Sequence, residues 1–222
     1  MFNLVIKDIA IQKKTLLYAL LYAIIAPIAF FSMAPNGFGL YVLPPMATTY
    51  IFISLAVSYD EKNKSEIVIN SLPIKRVDIV ISKYISVFVF ATIGIIYSIL
   101  IGFIGKFTGL QVFAMSISLL DIVLVFTSVC IFSSIFFPVY FKFGYIKMNF
   151  FNVILAMVVI FLPSIAISYA IENPNSIFVQ KINYFLSNTS SFTQNSLALL
   201  IGLIFFLISL IISIRIYKNK EF

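Results

Sequence analysis

Residues able to do covalent or acid–base chemistry are scarce in this chain. It has 222 residues and no histidine. That removes imidazole bases, His-ligated metals and the Ser-His and Cys-His nucleophile pairs. The single cysteine, Cys130, falls mid-way along an apolar run, where a thiol is buried and inert rather than nucleophilic. No Gly-x-x-x-x-Gly-Lys-Ser/Thr phosphate loop occurs, so the chain does not hydrolyse nucleotide by that route. An acid inside an apolar stretch would mark an ion or proton path. The one candidate, Asp121, follows Ser118-Leu119-Leu120. That spacing places its carboxylate in the first turn of a helix, as a cap or a dipole partner, with a proton relay as the alternative. Glu172 sits just past another apolar stretch and reads as solvated. No catalytic residue, cofactor or metal is expected, and no nucleic-acid partner.

The elements that carry these residues follow from composition. The chain is 62% hydrophobic and only 10% charged, with 25 Phe and a mean hydropathy of +1.10. A soluble domain has roughly 45–50% apolar and about 25% charged residues. So few charges could not cover a water-exposed surface. Soluble, disordered and disulfide-stapled classes are excluded, and an all-α polytopic membrane protein remains.

A helical span needs ~20 mostly apolar residues, so the gaps between charges count the spans. Residues 15–59 carry no charge and are broken at Pro35-Asn36-Gly37-Phe38-Gly39, a turn signal. Span one is expected over 15–33. Span two is expected over 38–58, with Pro44-Pro45 bending it or starting it late. Span three covers 84–105. Residues 107–141 hold a single charge and are too long for one helix, so span four is expected over 121–140, after an outer-surface segment around 110–120. Span five covers 148–171 and span six 196–214. No terminal segment reads as a cleavable signal.

Six spans put both ends on one side, and the basic residues agree. With six spans, thirteen of the 15 Lys and Arg lie on that side, leaving only Lys106 and Lys181 opposite. Positive charge marks the cytoplasmic face, so both termini are expected in the cytoplasm of a multi-pass inner-membrane protein.

Several segments lie outside the spans. Residues 1–14 place Phe2, Val5, Ile6 and Ile9 on one stripe, which suits an interfacial helix along the inner leaflet, or more simply a basic flank. The cytoplasmic loop 60–83 holds nine of the charged residues. Its apolar Ile67-Val68-Ile69 is followed by Ser71-Leu72-Pro73. Ser71 is expected to cap a second helix with Pro73 in its first turn. Helix, break and helix present one turn to a cytoplasmic partner; alternatively Lys75, Arg76 and Lys83 merely anchor span three at the headgroups. Residues 138–147 read as a tight inner turn, with Gly144 as a helix C-cap. The outer loop 170–196 contains a possible surface helix at 177–186, either a lid or a gate. Gly94, Ser98 and Gly102 form one row along span three, and Ala19 and Ala23 one in span one. Such rows mark close helix packing, within or between subunits.

Three blocks together carry a family resemblance: NLVIKDIAIQKKTLL, EIVINSLPIKRVDIVISKY and FFPVYFKFGYIK. They resemble the membrane subunits of type-2 ABC exporters, in particular the small six-span permeases of phenol-soluble modulin export and antimicrobial-peptide resistance. The resemblance spans essentially the whole chain. It implies that the loop between spans two and three carries a coupling helix docking on a separate ATPase subunit. That element maps to Asn63, Lys64, Glu66, Ile67, Asn70 and Ser71, ended by Leu72-Pro73, with Lys75, Arg76 and Lys83 as inner-interface anchors. It further implies an elbow helix over 1–14 and a second permease subunit, identical or a sister chain. The cargo implied is an amphipathic peptide. A non-transporting membrane sensor or assembly factor, whose basic loop binds lipid or a regulator, is the alternative of a different class. An intramembrane hydrolase is a third, and its usual nucleophile and base sets are missing.

Overall fold

The computed structural model describes residues 2–30, 41–108, 117–173 and 176–220. Among these residues all regular structure is helical. Helix α1 (Phe2–Ile11) is separated from α2 (Lys13–Phe30) by a single turn residue, Gln12. The Gln12 side-chain amide donates to the Phe52 carbonyl at 2.7 Å, pinning the junction to the next helix. Helix α1 turns Val5 and Asp8 inward. Phe2 and Ile6 point outward, 80% and 61% exposed. The expected stripe is thus divided: Phe2 and Ile6 face away from the protein, while Val5 faces in beside Asp8 and Ile9 packs on the core.

Helix α3 (Leu43–Lys62) starts on Pro44-Pro45. Proline fits the first turn of a helix, where its missing N–H has no partner to lose. The Pro45 carbonyl accepts the hydroxyls of Thr48 (3.0 Å) and Thr49 (2.7 Å). The prolines thus occupy the first turn of α3. Lys64 then adopts a left-handed conformation (φ 50°, ψ 32°) and separates α3 from the short α4 (Ser65–Ser71).

The expectation that Ser71 caps a second helix is not met. Ser71 is the last residue of α4, and its hydroxyl donates back to the Val68 carbonyl at 2.7 Å. The reason lies one residue on. A residue before proline is driven out of the helical region, and Leu72, before Pro73, is extended at φ −82°, ψ 155°. Helix α5 (Arg76–Gly105) begins only after Lys75. Its 30 residues extend about 45 Å, longer than the ~30 Å hydrocarbon core. A single 3-10 turn, Lys106–Thr108, follows.

Helix α6 (Leu119–Glu172) is two helical limbs joined at Gly144. Ser118 and Asp121 form a reciprocal cap at its start: the Asp121 N–H donates to Ser118 Oγ at 3.2 Å, and the Ser118 N–H donates to Asp121 Oδ2 at 2.9 Å. Capping is therefore what Asp121 does here. The inner turn expected over 138–147 is narrower than its aromatic and proline content suggests. Pro138 lies inside the first limb, and only Gly144 leaves helical geometry, at φ 77°, ψ 172°. That conformation suits glycine because a side chain would be strained there. Helices α7 (Ile177–Asn188) and α8 (Ser191–Lys218) complete the chain. Ser190 caps α8 by accepting the Thr193 N–H.

Three helical segments among the described residues are long and apolar enough to cross a membrane. They are Arg76–Gly105, Leu119–Tyr145 and Ser191–Lys218, with mean hydropathies of 2.5, 2.4 and 3.1. Residues 13–30, 43–62 and 146–172, where further spans are expected, are helical too. The turn at 35–39, and most of the segment 110–120, lie outside the described residues.

Helix α6 packs chiefly on α8 and α3 chiefly on α5. Tyr84 is the keystone of the core. Its ring lies 4.6 Å from that of Phe137 and 4.9 Å from Phe206, and its hydroxyl bonds Ser209 (2.7 Å) and Ser213 (2.8 Å). The row on α5 faces α3 of the same chain. A Cβ on Gly94 would stand 2.6 Å from Thr48 Oγ1 and 3.0 Å from Pro45 Cα; one on Gly102 would stand 2.5 Å from the Tyr41 hydroxyl. Ser98, between them, is buried. Ala19 is buried as well, and the side chain of Ala23 lies outside the described residues.

Candidate functional site

The two ends of the 60–83 loop meet. Asp60 lies in the last turn of α3, and Lys83 lies on α5, two turns after its start. The Lys83 ammonium donates to the Asp60 carboxylate. It also donates to Asp8 of α1, at 2.8 Å and 3.0 Å to the two oxygens. Lys7 donates to Asp60 at 2.6 Å and stands 3.4 Å from Asp8. The Ser86 hydroxyl reaches Asp8 at 3.2 Å. Asp8, Asp60 and Lys83 are all buried. Two ammonium groups and two carboxylates cancel, so the burial of each charge is compensated by its neighbours.

The electrostatics of Asp60, just beyond the apolar stretch of α3, follow from this geometry. Burial opposes its charge, but Lys83 and Lys7 outweigh that effect and hold its carboxyl below the usual aspartate range. Asp60 is therefore held as a carboxylate, and its bonds to Lys7 and Lys83 join α3 to α1 and α5.

Two further contacts gather the rest of the bundle onto the loop. The Glu61 carboxylate accepts the backbone N–H of Tyr145, next to the break at Gly144. A carboxylate at the start of a helix satisfies an unpaired donor and complements the dipole, so α3 caps the second limb of α6. Arg76 does the converse at the end of α8. Its guanidinium donates to the carbonyls of Lys218 (2.8 Å) and Lys220 (2.9 Å), where a helix offers unpaired acceptors. Beside these contacts lies a cavity of about 220 Å³, lined by Asp60, Glu61, Tyr140, Lys142, Phe143, Gly144 and Lys220.

The predicted site residues divide into two groups. Asn63, Lys64, Ser71, Leu72, Pro73 and Lys75 are exposed at the end of the loop, and Lys75 precedes the first turn of α5. The side chains of Glu66, Ile67 and Asn70 lie outside the described residues. Within α4, Ile69 packs on the core while Val68 is 60% exposed. Lys83 does not join the exposed residues. Expected at the headgroups, it is instead buried against Asp8 and Asp60. Arg76 likewise turns to α8 rather than standing alone.

Sequence reasoning missed Asp8, Asp60 and Glu61 as partners. A signal was present. The loop opens on an acid and closes on a base, and the one acid of the N-terminal stretch sits on the side away from Phe2 and Ile6. What the arrangement can do is hold five helices to one loop. Among the described residues no cluster suited to a metal ion occurs.

Among curated proteins and among solved structures, no match to this chain was found. The family model described as ABC-2 family transporter protein matches residues 3–218. With nearly its whole length matched, the chain belongs to the ABC-2 transporter family, as the membrane permease component of an ABC transporter whose ATPase is a separate subunit.

Proposed function

We propose that the chain is the permease subunit of an ATP-driven exporter of the cytoplasmic membrane, with six spans and both termini in the cytoplasm. Helix α4 is its coupling helix and docks on the ATPase; α1 is its elbow helix at the inner leaflet. Two permease subunits, identical or sister chains, enclose the path, with one ATPase beneath each. Nucleotide-driven closure of the ATPases pushes on both coupling helices and changes which side the path opens to. The cargo is an amphipathic, membrane-active peptide of the phenol-soluble modulin or antimicrobial kind.

One observation carries the reading. Helix α4 stands at the tip of the loop with Val68 and Leu72 exposed, at 60% and 49%. Apolar side chains exposed on a charged loop suit a protein partner better than water. The long apolar faces of α5 and α8 are compatible with a lipophilic cargo.

The test replaces residues 66–71 by a flexible Gly-Ser linker and follows co-purification of the ATPase from detergent. The reading expects the ATPase to be retained by the parent and lost from the linker variant, with the permease still monodisperse. An ATPase retained equally by both would overturn it and favour a non-transporting membrane sensor or assembly factor.

A further inference from the structure

The buried ion cluster at the loop neck has no part in docking, and its position raises the question of what it is for. Stability alone is a poor answer. Buried ion pairs repay their desolvation only narrowly, and well-packed apolar replacements are often as stable. What such a pair does fix is position, because its bonds are directional and an offset partner leaves a buried charge unpaired.

The geometry makes the cluster a junction. Asp60 lies in the last turn of α3 and Lys83 two turns into α5, so the cluster spans the two helices that carry the loop. Displacement of α4 reaches α3 and α5 along the chain, and the cluster is where these two helices and α1 are bonded to one another. Lys83 binds Asp60, and with its bonds to Asp8 it holds α1 as well. Lys7 adds a second link from α1 to Asp60. Without the cluster, α4 could swing on Lys64, in its left-handed conformation, and on the extended Leu72. These lie on either side of α4, where a hinge absorbs motion locally.

We propose that Lys83 is the positioning residue of the transport cycle: by binding Asp60 and Asp8 together it makes the ends of α3, α5 and α1 move as one when α4 is displaced. The cluster converts a push on a seven-residue helix into a concerted shift of three helices. The proposal rests on the docking role of α4 given above.

The test uses the permease–ATPase complex in lipid nanodiscs, with hydrogen exchange measured with and without a non-hydrolysable ATP analogue. In the parent, the analogue is expected to change exchange in α4, in α1 and in the first turns of α5. In the triple variant Asp8→Leu/Asp60→Leu/Lys83→Met, which removes the buried charges together, α4 still responds while α1 and α5 lose their response. The double variant Lys7→Met/Asp8→Leu removes one charge of each sign and both bonds from α1 to the neck, and keeps the Lys83–Asp60 pair; there α1 loses its response while α5 keeps it. Should the triple variant not assemble, this double variant decides alone. Responses in α1 and α5 that persist in the triple variant, or in α1 with Lys7→Met/Asp8→Leu, would overturn the proposal. No response of α4 in the parent complex would instead overturn the docking role, and the proposal with it.

Discussion

The two ends of the α3–α5 pair are held by opposite means. Where the 60–83 loop leaves the helices, contact is ionic: Asp8, Asp60, Lys83 and Lys7 converge, Glu61 caps α6, and Arg76 caps α8. Some three turns further along α5, contact is steric, with Gly94 against Thr48 and Pro45, and Gly102 against Tyr41. The ionic end specifies partners one group at a time, so it can transmit a displacement without slipping. The steric end specifies only a distance of approach, so helices there can rotate or slide while staying packed. A permease that must change which side it opens to needs both. A firm grip belongs where force enters, and a smooth contact where the helices move.

The largest effect is expected from unbalancing the ionic end. Lys83→Met leaves Asp8 and Asp60 buried with only Lys7 to compensate them. Removing one partner of a buried pair costs about 3–5 kcal/mol. Thermal unfolding in detergent should show a large loss of stability or failure to fold. The triple apolar variant should be much closer to the parent, because the one charge it leaves without partners, Lys7, is part-exposed and can reach water. A Lys83→Met protein as stable as the parent would mean that the two ends are not held differently.

Next comes the steric end. Gly94→Val puts atoms against the backbone of Pro45, which cannot yield, and overpacking of this kind costs about 1–3 kcal/mol. Gly102→Val meets the end of the Tyr41 side chain, which can swing aside, so its loss should be the smaller. The same thermal measurement ranks them, and the reverse order would show that the contact at Gly94 is not the tight one.

The smallest effect belongs to the core, at Tyr84, which follows Lys83 on α5 but faces α6 and α8. Tyr84→Phe keeps the ring against Phe137 and Phe206 and removes only the hydroxyl shared by Ser209 and Ser213. Both serines can turn to carbonyls of their own helix. The loss should be about 0.6 kcal/mol, the average for side-chain hydrogen bonds between membrane helices, a barely measurable change in unfolding midpoint. A loss as large as that of Lys83→Met would mean that the core fixes the helices as firmly as the ionic end does.

Much of the fold is legible in the sequence because apolar runs and the charges that bound them are local signals. The helix at 76–105, the reciprocal cap of Ser118 and Asp121, and the surface helix at 177–188 all follow from residues within a few positions of each other. The loop limits, Asp60 and Lys83, are visible in the same way. What pairs with Lys83 is not, because Asp8 lies 75 positions away and no local pattern joins them. Lys83 therefore looks like an ordinary headgroup anchor. Ser71 and Pro73 mislead for a different reason: Ser-x-Pro resembles a helix start, yet proline first constrains the residue before it, and Leu72 ends one helix instead of opening the next. At 138–147 the proline and aromatics draw attention, while the break rests on Gly144 alone.

The claim that ties these regions together is that the ATPase engages the tip of the 60–83 loop. A photo-crosslinking residue placed at Val68, exposed on α4, tests it most directly, with one at Phe107 on the far end of α5 as the control. Irradiating the assembled complex is predicted to join the Val68 variant to the ATPase and to leave the Phe107 variant unjoined. An assembled complex with no crosslink from Val68, or an ATPase crosslink from Phe107, would contradict the account.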